Sequence, residues 1–236
     1  MNTELLLSGI NSLGGSINNT QIEQFGKYSA LLKEWNEKMN LTAICDDDGI
    51  SVKHFLDSIL PLYHTEIPKG AKIADIGTGA GFPGIPLKIM RPDLEVVLLD
   101  SLQKRIRFLE EVCKELNLKN VTCIHGRAEE LGKNQKYREK FDVVTSRAVA
   151  NLKLLGEYCI PLVKKDGIFL ALKAEDIEQE LSEAKPMLGN LGGEITEVIS
   201  APLPNSDMTR KFVIIKKVKS TPPQFPRSAN KIKKSK

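Results

Sequence analysis

The sequence is short of what a membrane, secreted or metal-bound protein needs. Its longest uninterrupted apolar run is five residues, Ile168 to Leu172. A bilayer-crossing helix takes roughly 20, so no span is expected. Histidine occurs three times and cysteine four. Cys45, Cys113, Cys123 and Cys159 are scattered without a CxxC pair, so neither a metal site nor a disulfide frame is expected, and they read as small reduced hydrophobes. The start, Met1-Asn2-Thr3-Glu4, lacks a basic stretch followed by a long apolar segment, so a cytoplasmic location is expected. Acid is missing from one end. Between Arg210 and Lys236 stand ten Lys or Arg and no Asp or Glu, and the rest of the chain carries 24 basic against 30 acidic residues, a balance of −6 hidden inside the formal +4. Such a basic tail suits a phosphate-rich polymer through counterion release, or serves only as a solvated, solubilising segment.

What is present is an ordinary globular composition. With 236 residues, 41% hydrophobic and 27% charged, the chain can bury a full core and favours one principal domain with a smaller appended element. Residues 1–65 read as a helical cap: Ile22, Phe25, Leu31, Leu32 and Trp35, then Val52, Phe55, Leu56, Ile59 and Leu60, recur at helical spacing. From Lys72 the pattern changes to short β-rich runs, at 72–76, 96–99, 121–125, 141–146 and 167–172, separated by amphipathic stretches. That alternation predicts a parallel sheet with helices on both faces. Leu102, Ile106, Leu109, Cys113 and Leu116 predict one buried helix face after the second strand. A charged surface helix is expected over 175–185. The runs 194–199 and 211–218 follow, joined by a connection too short for a crossover, and should pair antiparallel as a closing hairpin. The segment 66–218 thus forms the main domain, and 219–236 reads as a basic, disordered tail.

The sharpest segment is Asp75-Ile76-Gly77-Thr78-Gly79-Ala80-Gly81-Phe82-Pro83-Gly84, which leaves an apolar strand and enters a helix. Glycines at alternate positions let the backbone turn tightly and approach a ligand, and the N–H groups of the following helix are suited to an anionic group. Gly79, Gly81 and Gly84 also satisfy G-x-G-x-x-G, so a nicotinamide or flavin oxidoreductase is the rival reading, and the loop alone does not decide. Asp75 ends the first strand, Asp100 ends the second, where a carboxylate can accept both ribose hydroxyls, and the terminal hairpin departs from an all-parallel dinucleotide sheet. Together these resemble the Rossmann-like α/β fold of class I S-adenosylmethionine-dependent methyltransferases, a seven-stranded sheet ending in an antiparallel hairpin. The resemblance implies S-adenosyl-L-methionine as cofactor, with Ala128 and Glu129 beside adenine. Asp100 would otherwise be a helix-capping acid, and Asp75 a structural one.

Two acceptor classes of that fold are excluded: the chain has no Asp/Asn-Pro-Pro-aromatic tetrapeptide of amino-methylating enzymes and no Pro-Cys nucleophile of cytosine-C5 enzymes. After the fourth strand stands Thr145-Ser146-Arg147-Ala148-Val149-Ala150, a cation at the mouth of the cleft or else half of a structural ion pair. Trp35-Asn36 with Asn40-Leu41-Thr42, His54-Phe55-Leu56-Asp57-Ser58, the Gly-Phe-Pro-Gly-Ile-Pro ending at Pro86, Leu99-Asp100-Ser101, Ser146-Arg147-Ala148 and Ala171-Leu172-Lys173 resemble the bacterial ribosomal RNA small-subunit methyltransferase G family, also called glucose-inhibited division protein B. The resemblance runs from about residue 20 to 218. It implies methylation of guanine N7 in the 530 loop of 16S ribosomal RNA, free or within a ribosomal particle, with no membrane and no metal involved. N7 carries a lone pair and no proton, so the chemistry needs placement more than a general base. By position, Gly77, Gly79, Gly81 and Phe82 would line the methionine and sulfonium region, with Asp75 at the head of the loop, Asp100 the ribose, and Arg147 would close the cleft beside the methyl as a positioning residue. Lys173 and Arg210 would contact RNA, Lys173 also standing near the chemistry. His54, Asp57 and Trp35 read as packing or capping residues. A non-catalytic RNA-binding assembly factor on the same fold is the alternative.

Overall fold

The computed structural model describes residues 1–147, 150–174, 177–228 and 231–232. Ala148 and Val149 of the Arg147 motif, Glu175 at the expected helix start and the lysines at 233, 234 and 236 lie outside the described residues. Seven strands form one sheet in the order β3-β2-β1-β4-β5-β7-β6. The strands are β1 (Lys72–Ile76), β2 (Glu95–Asp100), β3 (Val121–His125), β4 (Phe141–Arg147), β5 (Val163–Lys173), β6 (Gly193–Pro202) and β7 (Thr209–Lys217). The first five are mutually parallel, and β7 pairs antiparallel with both β5 and β6. The expected hairpin is therefore present, with its second strand inserted beside β5. Strand residues alternate between two apolar clusters. Ile73, Val96, Leu98, Val143, Leu170 and Phe212 face one, whereas Ala74, Val97, Leu99, Val144, Phe169 and Val213 face the other. Both faces are covered, which is why runs such as Val96–Leu99 on β2 are apolar without alternation.

The first face is covered by α1 (Thr3–Ser12), α2 (Asn19–Met39), the helical run from α3 (Asp47–Gly49) through a π-helical turn at Ile50–Leu56 into α4 (Asp57–Ile59), α5 (Gly84–Met90) and α6 (Gln103–Glu115). A capping box starts α2: the Asn18 side chain accepts from Gln21 N–H and the Gln21 side chain from Asn18 N–H, each at 3.0 Å. Asn40 ends it in the left-handed region at φ 50°. The same Gln21 donates to the Ile89 carbonyl at 2.8 Å, which ties α2 to α5. Phe25, Tyr28, Phe55 and Phe82 form an aromatic chain with centroid separations of 4.8 to 6.3 Å, so the cap packs directly onto the glycine loop. Trp35 is half-buried against Phe108 at 5.6 Å, a packing residue. The second face carries α7 (Ala128–Leu131), α8 (Leu152–Cys159) and α9 (Glu178–Asn190).

Four local expectations are corrected. Leu102 precedes α6 in an extended conformation and is 42% exposed. It therefore falls out of helical phase, and the buried face is Ile106, Phe108, Leu109, Val112 and Leu116. The fifth strand begins at Val163, four residues early, because Phe141 on β4 pairs with Val163 before a register shift. The ninth helix runs on to Asn190 and buries Ala184 and Leu188 against α8, so only part of it is a surface helix. Finally, 219–228 is not a disordered tail. Arg138 donates to the carbonyls of Thr221, Pro222 and Phe225. Thr221 N–H reaches Glu139 at 2.7 Å, and Arg227 forms a forked pair with buried Glu157 at 2.6 to 3.1 Å. Backbone carbonyls that would otherwise stay in water are captured one by one, which repays the ordering entropy that composition alone led one to expect would win. Buried Lys217 bonds Thr221 and Glu139 there, and burial lowers its ammonium to about 8.

Candidate functional site

The site lies at the carboxyl ends of β1 to β4, where β1 turns toward β2 on one side and meets β4 on the other, the crevice position of an open α/β sheet. The chain leaves β1 by a turn in which the N–H groups of Gly77 and Thr78 both reach the Leu99 carbonyl, at 2.9 and 3.0 Å. Gly77, Gly79 and Gly81 have φ of 68°, 61° and 99°, a region that residues with a Cβ rarely adopt. A Cβ on Gly79 would meet no atom of the described residues within 4 Å beyond its chain neighbours, so that backbone is open to a ligand. On Gly81 it would stand 2.6 Å from Ile85 and 2.7 Å from the Tyr28 hydroxyl.

Asp75 works from behind the loop. It is fully buried, and its Oδ2 accepts from the Thr78 hydroxyl at 2.7 Å and from Gly84 N–H at 2.8 Å, while Oδ1 has no partner among the described residues. Burial pushes its carboxyl up to about 6. The expectation that the helix start would offer free N–H groups to a ligand is corrected here. Gly84 N–H is taken by Asp75, Ile85 N–H by the Gly81 carbonyl, and Pro86 has none. Tyr28, which sequence reasoning assigned no role, donates from α2 to the Ala80 carbonyl at 2.5 Å and braces the loop from the other side.

Above the loop is a cavity of about 520 Å³, a size suited to a cofactor. Of the residues singled out from sequence, Gly77, Gly79, Phe82, Asp100, Ala128, Glu129 and Arg147 are on its wall, whereas Asp75 and Gly81 are not. Thr42, Arg105, Arg127 and Tyr158 also line it. Sequence reasoning missed these four as lining residues; Thr42 was visible only as part of the Asn40-Leu41-Thr42 motif. Asp100, 2% exposed, accepts from Gly79 N–H at 3.0 Å, Leu102 N–H at 2.9 Å and Arg105 at 3.2 Å. It thus holds the turn that leads into α6 and is also a wall of the cavity.

A partition bounds the cavity on the side of β4. The Arg147 guanidinium sits 4.9 Å from the centroid of the Phe82 ring, and His54 stacks on that ring at 4.4 Å and 12°. The His54 Nε2 pairs with the Thr42 hydroxyl at 2.8 Å, its Nδ1 is 3.4 Å from Arg147, and burial, with Arg147 adding to it, lowers the imidazole to about 3. His54 and Arg147 also face a second cavity of about 410 Å³, which is bordered by Lys53, Asp57, Lys173 and Arg210. Asp57 is buried between two arginines: Oδ2 accepts from Arg147 at 2.8 Å and Oδ1 from Arg210 at 2.6 Å. Lys173 is held by Glu180 at 2.6 Å and by the Ala150 carbonyl. His54 and Asp57, read from sequence as packing residues, thus pack and line cavities at once, and Arg147 is both an ion-pair partner and a cleft residue.

A Rossmann-like sheet closed by a β5-β7-β6 antiparallel edge, with a glycine loop and a second-strand acid around one cavity, is the fold of the class I S-adenosylmethionine-dependent methyltransferases. Among solved structures, an S-adenosylmethionine-dependent methyltransferase from Aquifex aeolicus shares this fold with a TM-score of 0.54 and 17% identity, covering 78% of this chain and 97% of that one. Residues 21–204 match the family model of rRNA small subunit methyltransferase G, and the chain belongs to that family. The ribosomal RNA small subunit methyltransferase G of Alkaliphilus oremlandii is 49% identical over 97% of this chain and 95% of its own length. That of Thermoanaerobacter sp. strain X514 is 50% identical over 98% and 97%.

Proposed function

We propose that this enzyme transfers the methyl group of S-adenosyl-L-methionine to N7 of a guanine in small-subunit ribosomal RNA. The observation that carries the reading is the partition between the two cavities. Both cavities share a guanidinium and an imidazole held neutral by burial. An exocyclic amine has to shed a proton as it attacks, and neither shared group is suited to take it; N7 attacks with a lone pair it already has. Positioning of the two reactants is then the main requirement.

The residues present fit the cofactor. Asp100 offers carboxylate oxygens to a ribose diol, with Arg105, about a third exposed, as the partner able to swing aside. The open backbone at Gly79 suits the methionine moiety, and Ala128 with Glu129 suits the adenine edge. The bound cofactor supplies an electrophilic methyl on a sulfonium. Beside it, Arg147 would be repelled by a second cation, and Asp57 offsets that charge at 2.8 Å. The four cations bordering the second cavity, Lys53, Arg147, Lys173 and Arg210, suit the phosphates flanking a splayed-out base.

The test is incubation with S-adenosylmethionine labelled in the methyl group and small-subunit particles that lack the modification, followed by chain cleavage specific for N7-methylguanine. Label at one guanine is expected. Binding of particles without transfer of label would favour the assembly-factor reading instead.

A further inference from the structure

Asp57 touches only the second cavity, whereas Arg147 and His54 border both. A guanine seated there with N7 toward the first cavity turns its N1–H and N2 amino group, which lie across the purine from N7, away from that cavity and into the second, whose lining includes Asp57. We infer that Asp57 reads this edge, accepting from N1–H and N2–H, and so sets the preference for guanine over adenine. The inference rests on the N7 reading of the site.

Lone-pair accounting leaves room for it. A carboxylate has about four acceptor positions; Arg147 and Arg210 fill one on each oxygen, at 2.8 and 2.6 Å. Both guanidinium groups have other partners, Arg147 at the Lys53 carbonyl and Arg210 at the Thr209 carbonyl, so their grip on Asp57 is set by the fold. Three elements contribute: Asp57 starts α4, Arg147 ends β4 and Arg210 lies on β7. The carboxylate is therefore pre-oriented, and among the described residues bordering this cavity it is the one acid. Guanine presents two adjacent donors to it, with O6 next to them for a cation such as Arg210 or Lys173. Adenine presents the N1 lone pair in the same place, which a carboxylate repels. Because the acceptor is buried and charged, a base that leaves it unpaired loses more than one hydrogen bond's net worth.

The experiment compares particles carrying guanosine or inosine at the target, since inosine keeps N7, O6 and N1–H and lacks only the N2 amine. For the unaltered enzyme, kcat/KM with inosine should fall about 10- to 100-fold, the worth of a hydrogen bond to a charged group. In Asp57→Ala and Asp57→Asn, guanosine turnover drops and the inosine penalty should shrink to about threefold or less, a ratio that a merely structural loss would leave unchanged. Binding of S-adenosylhomocysteine and a cooperative melt identify which variant is folded. The inosine comparison on the unaltered enzyme decides even if neither is. Equal turnover of guanosine and inosine, or an inosine penalty undiminished in a folded variant, overturns the role of Asp57. Absence of N7 methylation on the guanosine particle would instead overturn the reading of the site.

Discussion

Asp75 is where acidity should act most directly on this fold, because a carboxyl has been sealed beneath the glycine loop. Burial raises it to about 6, against the pull of donors from Thr78 and Gly84 and of the Arg147 charge. In the unfolded chain an aspartate titrates near ~3.9. The folded value being the higher, the native state holds the proton more tightly. The resulting stabilisation is complete below about pH 4 and is lost as pH rises through about 6. A separation of about two units corresponds to about 3 kcal/mol. Asp75→Asn keeps the shape and an acceptor for Gly84 N–H but removes the titration, and places an amide where Oδ1 has no partner. Urea unfolding of both proteins should therefore show the variant gaining on the unaltered chain by about 2 kcal/mol between about pH 4 and pH 7. The variant should be the weaker at the acid end, where it carries an orphaned amide and the native carboxyl is neutral. A pH-independent difference would refute a buried, titrating Asp75.

Three further outcomes are expected. Asp100→Ala should weaken S-adenosylhomocysteine binding by about 10-fold or more in calorimetry, the cost of a lost acceptor; an unchanged dissociation constant would leave Asp100 only its structural bonds to Gly79, Leu102 and Arg105. Arg227→Ala should leave buried Glu157 without its forked partner, costing about 3 kcal/mol and lowering the melting temperature by roughly 2–4 °C for each kcal/mol, whereas a melt within a degree of the original would show the docked segment to be incidental. Deleting 233–236, three lysines and a serine, should flatten the log–log salt dependence of RNA binding by up to about 0.7–0.9 for each phosphate no longer neutralised; an identical slope would remove these lysines from the RNA interface.

Much of the fold was legible because it repeats locally. Short β-rich runs alternating with amphipathic stretches specify a layered sheet, since apolar residues of period two and of period 3.6 can be buried together in few ways. Glycines between a strand and a helix mark a tight turn wherever they occur, and the family resemblance then placed Gly77, Gly79 and Phe82, with Asp100, near one cavity. What does not repeat locally was not legible. That the Asp75 side chain lies buried beneath the loop, bonded to Thr78 and Gly84, depends on how the turn folds back over the strand end. The docked segment from 219 looked disordered because its stability comes from Arg138, Glu139 and Glu157 on a distant part of the chain.

By itself, then, the sequence specified a two-faced sheet, a glycine turn and the family motifs, all of which are short-range patterns of side-chain size and polarity. Only the tertiary structure decided which charges meet. Arg210 reaches Asp57 across 153 residues and Arg147 reaches it across 90. Tyr28 finds the Ala80 carbonyl 52 positions away. Those pairings exist because β7 is inserted beside β5 and the cap is laid over the glycine loop. Strand order is set by the burial of the whole sheet, which no local window of sequence contains.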